Sequence, residues 1–505
     1  MQQFDVIIIS VPYTDSFPML APILLSACLN KAGISAKGID FSAEFYKIFS
    51  KKSYWADLKN HLTLGYTGNE IKLPRRAIID ILKFNKQFLS KIKMHKPIWL
   101  GLSIFTSESI NYSYLLIYSI RKYLPNVKII IGGKGAETVC SLRNKSNSQV
   151  YIENGLAELA VIGDCEHVIA SAIKENASGI YTSLSQTKED LDEVPVPNWD
   201  EYDLTGYTEL TTGVEVEPYI AITSSKGCVR KCTFCDVASF WPKYIYRKPE
   251  NVANEIITAY RKTGIDRFLF TDNLINGSAS NYRMINQMLA DTIPNKIKYS
   301  GYAIFRAKDT MPAEDFVLAK KAGCDMWGIG VESGSERVRF DLGKKITDED
   351  LHWSVNQLAK NEITQVWLMM VGYPTETDED FQETLELFKQ YAHLGRKGLI
   401  KPSITPTFAL LNNSPIMQNE KLRNDMGLSH NVGDEWSGKF WTSTVNTNNT
   451  FPVRAERWRT ASALLNQLGY PYNPYVSEVK FREEVTSLEK LYNEKKHKII
   501  PISKI

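Results

Sequence analysis

Two blocks of strand–helix alternation, joined by a proline-containing stretch, constrain this 505-residue chain more than any other feature. In the first block, Asp5–Ser10, Ile98–Ile104, Val127–Ile131 and Leu159–Ile162 are short, nearly continuous apolar runs, and Ala36–Phe41 is a further strand candidate. Strands without polar alternation are buried on both faces, as in a parallel sheet covered by helices. Helical patterns fill the gaps: Met19–Lys31 ended by Gly33, Arg76–Lys93, and Ser109–Tyr123 ended before Pro125. The alternation predicts a doubly wound α/β domain over residues 1–180. A ligand of such a sheet sits beyond the carboxyl ends of the strands. Those loops are Pro12–Phe17, Phe105–Ser109, Gly132–Glu137 and Gly163–Glu166. Glycine there would let the backbone approach a large flat ligand.

Leu191–Trp199 is acidic and contains proline, so residues 181–215 read as a linker. From Pro218 the alternation resumes. Strands are expected at Tyr219–Ser224, Arg267–Thr271, Lys298–Ile304, Met326–Val331, Thr364–Val371 and Ser403–Phe408. Helices are expected at Pro249–Lys262, Tyr282–Ala290, Pro312–Ala322, Thr347–Lys360 and Asp378–His393, the fourth capped by Thr347. These units over residues 216–409 predict a partial (β/α)6 barrel, with its chemistry at the C-terminal ends of the strands. Residues 410–505 read as a mainly helical region that shapes the substrate site, with helices at Arg454–Leu468 and Glu478–Lys495. Trp436, Trp441 and Tyr373 could line a substrate pocket or belong to the core.

The loop after the strand at Tyr219–Ser224 holds Cys228, Cys232 and Cys235 in a C-x3-C-x2-C run. Three thiolates this close can hold three irons of a four-iron, four-sulfide (4Fe-4S) cluster. With no fourth cysteine nearby, one iron would stay open to a small molecule. Positive charge at Arg230 and Lys231 would stabilise the thiolates. A zinc site is the competing reading, although zinc wants a fourth ligand and usually two C-x-x-C pairs. The remaining cysteines, Cys28, Cys140, Cys165 and Cys324, read as buried structural thiols.

The spacing resembles that of the radical S-adenosylmethionine (radical SAM) superfamily. The order of first domain, linker and cysteine loop resembles the branch of that superfamily with a Rossmann-like, cobalamin-binding N-terminal domain. The resemblance covers roughly residues 4–400 and extends to Gly328–Ser335 and Val371–Thr377. It implies that SAM chelates the open iron and is cleaved to a 5′-deoxyadenosyl radical, with an electron donor such as flavodoxin or ferredoxin. It implies Cys228, Cys232 and Cys235 as cluster ligands and Phe234 against the adenine. Asp272, Arg306, Glu332 and Ser333 are the expected SAM contacts, with Arg306 suited to fork onto the carboxylate. Gly132, Gly133, Gly163 and Glu166 correspond to the cobalamin loops. One departure stands out: none of the histidines (61, 95, 167, 352, 393, 430, 497) lies in a D-x-H-x-x-G setting. Cobalamin would then be held without histidine on cobalt, or the domain would have lost cobalamin and serve only as a scaffold.

The implied activity is methylation of an unactivated carbon on a small-molecule, lipid or peptide substrate. Radical cyclisation, rearrangement or oxidation without methyl transfer is the alternative, and an inactive cluster-bearing binding protein a further one. A tRNA methylthiotransferase fits less well, for lack of a C-terminal β-domain and of cluster cysteines in the first domain. A hydrophobic content of 43% and charged content of 23% describe an ordinary globular protein. A net charge of +3 gives no nucleic-acid signal. No run of eighteen apolar residues offers a membrane span, and the expected location is cytoplasmic.

Overall fold

The structure is a computed structural model. It describes residues 2–12, 18–64, 74–140, 145–182, 188–205, 207, 218–405, 407–411, 413–429, 438 and 440–471. The chain divides into two compact units: Met1–Ala221 with Lys262–Ile265, and Ile222–Arg261 with Asp266–Ile505.

The first unit is built on a six-stranded, all-parallel sheet. Its order is Ala36–Ile39, Val6–Ser10, Trp99–Ser103, Lys128–Gly132, Leu159–Ile162, Gly179–Thr182. The order reverses between Val6–Ser10 and Trp99–Ser103, which marks the switch point of a doubly wound sheet. Alternate residues of each strand enter separate cores, one holding Ile7, Ile9, Leu100, Leu102, Ile129 and Ile131. The other holds Val6, Ile8, Trp99, Ile130, Leu159 and Val161. Both faces are covered, so the strands carry apolar runs instead of alternating with polar residues.

The structure departs from the sequence reading at several places, the first with a clear local cause. The strand expected at Ala36–Phe41 stops at Ile39, because Asp40 caps a helix at Phe41–Phe49 by accepting from Ala43 N (3.1 Å). The Asp40 carboxyl also accepts from Ser10 Oγ (2.8 Å), Met19 N (3.0 Å) and Tyr207 OH (2.9 Å), and burial pushes it above the usual carboxylate range. A helix at Trp55–Leu64 was not expected. Gly179–Thr182, at the start of the expected linker, is the sixth strand. The stretch beyond it includes a helix at Lys188–Glu193.

The second six-stranded sheet runs in chain order: Ile220–Ile222, Arg267–Phe270, Lys298–Ala303, Cys324–Glu332, Thr364–Met369 and Ile400–Ile404. The pairings from Arg267–Phe270 onward are parallel. Each strand lies beside its successor with a helix between, the winding of a (β/α) barrel and not of a doubly wound sheet. The last strand begins earlier than the expected Ser403–Phe408. A helix at Glu336–Asp341 was not anticipated. Thr347 caps Asp348–Lys360 as the spacing predicts, its hydroxyl accepting from Asp350 N at 3.1 Å. Thr377 and Asp380 go further and form a reciprocal capping box at Asp378–Arg396.

Beyond the sheet, the helix Phe451–Leu468 packs on Asp378–Arg396. The helix expected at Glu478–Lys495 and Trp436 lie outside the described residues. Trp441 and Tyr373 are fully buried, so they belong to the core and do not line an open pocket. Among the described residues no helix is long and apolar enough to cross a membrane.

Candidate active site

The cysteine loop starts where Ser225–Lys226 pairs antiparallel with Ile245–Tyr246, so a short ladder closes its base. Gly227 turns the chain at φ +78°. A Cβ there would lie 2.3 Å from Lys243 O, so only glycine fits. Within the loop Arg230 N donates to Cys228 Sγ (3.4 Å) and Cys235 N to Cys232 O (3.2 Å). Thr233 is tied from three directions. Its N–H donates to Leu342 O (3.0 Å), its carbonyl accepts from Ile416 N (2.7 Å), and its hydroxyl meets Tyr373 OH at 2.8 Å. The loop is therefore clamped by the segment after Cys324–Glu332, by the Val371–Thr377 loop and by the region beyond the sheet.

Burial pushes the Cys232 thiol up to about 12, partly offset by Lys344, and burial also raises Cys235. Buried thiols of this kind become thiolates when a metal takes the proton's place. Cys324 begins its strand, at the opposite edge of the sheet from the loop. Within the second unit it is the one cysteine outside the run. Three cysteine ligands and no fourth at this edge suit a cluster with one open iron. Among the described residues no three His, Cys, Asp or Glu side chains are arranged around a single metal ion.

Phe234 packs against a cluster that includes Val338, Leu342, Tyr373 and Trp441. Glu332, at φ +67° beyond a bulge after Gly330, is nearly buried and pairs with Lys344 Nζ at 2.7 Å. Arg306 Nη2 donates to Asn276 O (2.9 Å) and Gly277 O. Burial and the neighbouring Arg230 hold its guanidinium below the ordinary arginine value. The Nε atoms of Arg306 and Arg230 are buried and have no hydrogen-bond partner among the described residues. Two orphaned cationic donors near Cys228 fit an anionic cluster or its carboxylate ligand.

Asp272 and Ser333 sit deeper. The buried Asp272 carboxylate accepts from Ser224 N (2.8 Å), Ser225 Oγ (2.6 Å) and Ser224 Oγ. Burial pushes it up to about 6 against those bonds. It braces the strand end beneath the cysteine loop. Ser333 Oγ accepts from Ser335 N (3.1 Å) and lies 3.3 Å from Thr384 Oγ1. The buried Arg339 donates to Ser333 O (3.0 Å), Gly334 O (2.8 Å) and Ile346 O (3.0 Å).

In the first unit the expected loops Phe105–Ser109, Gly132–Glu137 and Gly163–Glu166 lie at the carboxyl edge of the sheet, and residues 13–17 of the loop expected at Pro12–Phe17 lie outside the described residues. Gly133 has φ +94°, and a Cβ there would sit 2.5 Å from Ile104 O. The glycine is thus already required by the packing of its own protein. Lys134–Glu137, expected as loop, forms a single helical turn. A Gly132 Cβ would meet Val161 O at 3.2 Å, and Gly163 N donates to Glu137 Oε1 at 2.8 Å. Glu166 is half-buried. His167 Nδ1 beside it is buried without a partner among the described residues. Cys165, expected to be buried, is only half-buried, with its sulfur 3.4 Å from Gly163 O.

Sequence reasoning missed Lys344, Arg339, and the ties through Tyr373 and the C-terminal region. Arg454 stacks 3.9 Å above the Trp441 ring and donates to Asn449 O (2.6 Å). Arg457 pairs with the buried Glu376 at 2.7 Å. Both brace the Val371–Thr377 loop, since a Cβ on Gly372 would overlap Arg454. The glycine at 372 was the available signal, but it names no partner.

Residues 222–388 match the Radical SAM superfamily. The chain is 26% identical over 315 residues to an uncharacterized methyltransferase of Pyrococcus horikoshii, a match spanning 59% of this chain and 65% of that protein. It thus spans less than two thirds of that curated relative. In fold it is similar to the radical S-adenosylmethionine methyltransferase TsrM from Kitasatospora setae, solved with cobalamin and a [4Fe-4S] cluster. The TM-score is 0.58 at 15% identity, over 95% of this chain and 92% of that one. It is also similar to the cobalamin-dependent S-adenosylmethionine radical enzyme OxsB, solved with aqua-cobalamin and S-adenosylmethionine. There the TM-score is 0.60 at 16% identity, over 97% and 71%.

Proposed function

We propose, from the match of residues 222–388 to the Radical SAM superfamily, that this chain is a cobalamin-dependent radical SAM methyltransferase acting on an unactivated carbon. The observation that carries this reading is the clamped loop of Cys228, Cys232 and Cys235 at the carboxyl edge of the second sheet, with no fourth cysteine beside it. The first unit supports the cobalamin part: a doubly wound sheet with glycine turns at its carboxyl edge, in a chain whose fold follows TsrM and OxsB along most of its length.

A bound four-iron cluster would supply the electron that cleaves SAM, and cobalamin the methyl group. The chain's own residues do the rest. The three cysteines hold the irons. Arg230, Arg306 and Lys344 place positive charge around them, and Phe234 offers an apolar wall for a purine. Thr233, fixed by Tyr373, keeps the spacing of Cys232 and Cys235. In the first unit Gly132, Gly133, Gly163 and Glu166 would border the cobalamin.

The test is anaerobic reconstitution with iron, sulfide and hydroxocobalamin, then desalting, metal analysis and assay with methyl-labelled SAM. About four irons with retained cobalt and label transferred to product would support the reading. Four irons without cobalt would turn the search to rearrangement or oxidation.

A further inference from the structure

We infer that the Lys344–Glu332 pair sets the reduction potential of a cluster held by Cys228, Cys232 and Cys235, with Lys344 raising it and Glu332 lowering it. The inference rests on the cluster proposed above and concerns how the chain tunes it.

The pair is a built feature. Lys344 Nζ lies 2.7 Å from Glu332 Oε1, and both side chains are nearly buried. Gly330 makes the room: a Cβ there would fall 2.2 Å from Lys344 Nζ and 2.3 Å from Glu332 Oε1. Glu332 is held at φ +67°, a region that disfavours a side chain, which presents its carboxylate to the lysine. Lys344 follows Gly343, whose Cβ would meet Lys231 O at 3.1 Å and Cys232 Cα at 3.4 Å. The segment carrying the lysine therefore lies directly against the cysteine loop. The ammonium is 5.9 Å from the ring centroid of Phe234, between Cys232 and Cys235 in sequence.

Charges act strongly where water is excluded. Reduction adds one negative charge to a cluster that already carries three thiolates. A fixed cation nearby favours the reduced form and a fixed carboxylate opposes it. Lys344 Nζ sits 2.7 Å from the Glu332 carboxylate with both side chains largely shielded from water, so the loop faces a paired cation and anion. An ion pair that served packing alone would have no signed effect on the potential.

The experiment is a dithionite titration of the full, anaerobically reconstituted chain without SAM, followed by the EPR signal of the reduced cluster. Lys344→Gln should lower the midpoint. At the wild-type midpoint the reduced-to-oxidised ratio should fall about tenfold, or ~59 mV for one electron. Glu332→Gln should raise that ratio by a similar factor, and Lys344→Arg should stay within about threefold of wild type. Shifts of the same sign in both neutral variants, or none while iron is retained, would overturn the inference. If Lys344→Gln fails to hold iron, Glu332→Gln decides alone: a raised midpoint supports the tuning role and an unchanged one rejects it. A wild-type chain that takes up no four-iron cluster overturns this inference and the parent reading together. A wild-type cluster with unresponsive variants overturns this inference alone.

Discussion

The carboxyl edges of the two sheets are built in different ways. In the first unit the glycine loops of the edge lean on backbone, Gly133 turning at φ +94° against Ile104 O, and the side-chain ties gather at one place, where Asp40 accepts from Ser10, Met19 and Tyr207. In the second unit the edge is braced by side chains. Asp272 holds two serines, Arg339 holds three carbonyls, Lys344 meets Glu332, and Arg457 meets Glu376. A backbone edge leaves room for a broad ligand surface. A side-chain edge fixes a small number of atoms and sets the charge around them. The contrast matches a division between carrying a large cofactor and positioning a reactive cluster.

The sharpest break is in the second unit. Cys232→Ala should drop bound iron from about four to well under one per chain, and 5′-deoxyadenosine formation should fall below detection. Iron analysis and product chromatography check both. If that variant still made 5′-deoxyadenosine at the wild-type rate, the division would collapse.

Arg457→Ala comes next. It strands the Glu376 carboxyl, which burial already pushes up to about 7 against the pull of Arg457. Removing one partner of a buried pair costs about 3–5 kcal/mol. Urea unfolding should show that loss together with weaker iron retention, because the 371–377 loop also holds Tyr373 on Thr233. Gly133→Ala is the counterpart in the first unit. A side chain forced into that backbone region against Ile104 should cost about 1–3 kcal/mol. It should weaken cobalamin retention and leave iron content at the wild-type level. Equal loss of iron in this variant would contradict the separation of roles.

The smallest effect is on acid response. Asp380 is held down to about 2, because hydrogen bonds from Arg337, Thr377 and Ser335 outweigh its burial. Its folded value lies below its ordinary 3.8, so its contribution is full above 3.8 and is lost as pH falls toward 2. Asp40 in the first unit is shifted the other way by burial, so protonation favours its folded form as pH falls. Asp380→Asn should destabilise the protein near neutral pH and make no difference near pH 2. Denaturation curves across that range measure it.

Both the layered fold and the cysteine loop were legible in the sequence because each rests on local pattern. Apolar runs such as Val6–Ser10 report burial on two faces, and the C-x3-C-x2-C spacing is itself a feature of the sequence. What was missed depends on partners far apart in the chain. The extended reading of Ala36–Phe41 runs through Asp40, yet Asp40 caps a helix there with help from Tyr207, more than 160 positions away. Lys344 is an unremarkable lysine until Gly330 and the bend at Glu332 bring it to the carboxylate. Arg454 and Arg457 lie in a helix the sequence did reveal, but nothing local says that they brace the loop at Gly372.

The most direct test is the EPR spectrum of the dithionite-reduced, iron-reconstituted chain, recorded with and without SAM. The account predicts a reduced-cluster signal that SAM perturbs, and its loss when Cys228, Cys232 and Cys235 are all replaced by alanine. A protein that binds zinc in place of iron, or a cluster signal indifferent to SAM, would contradict it.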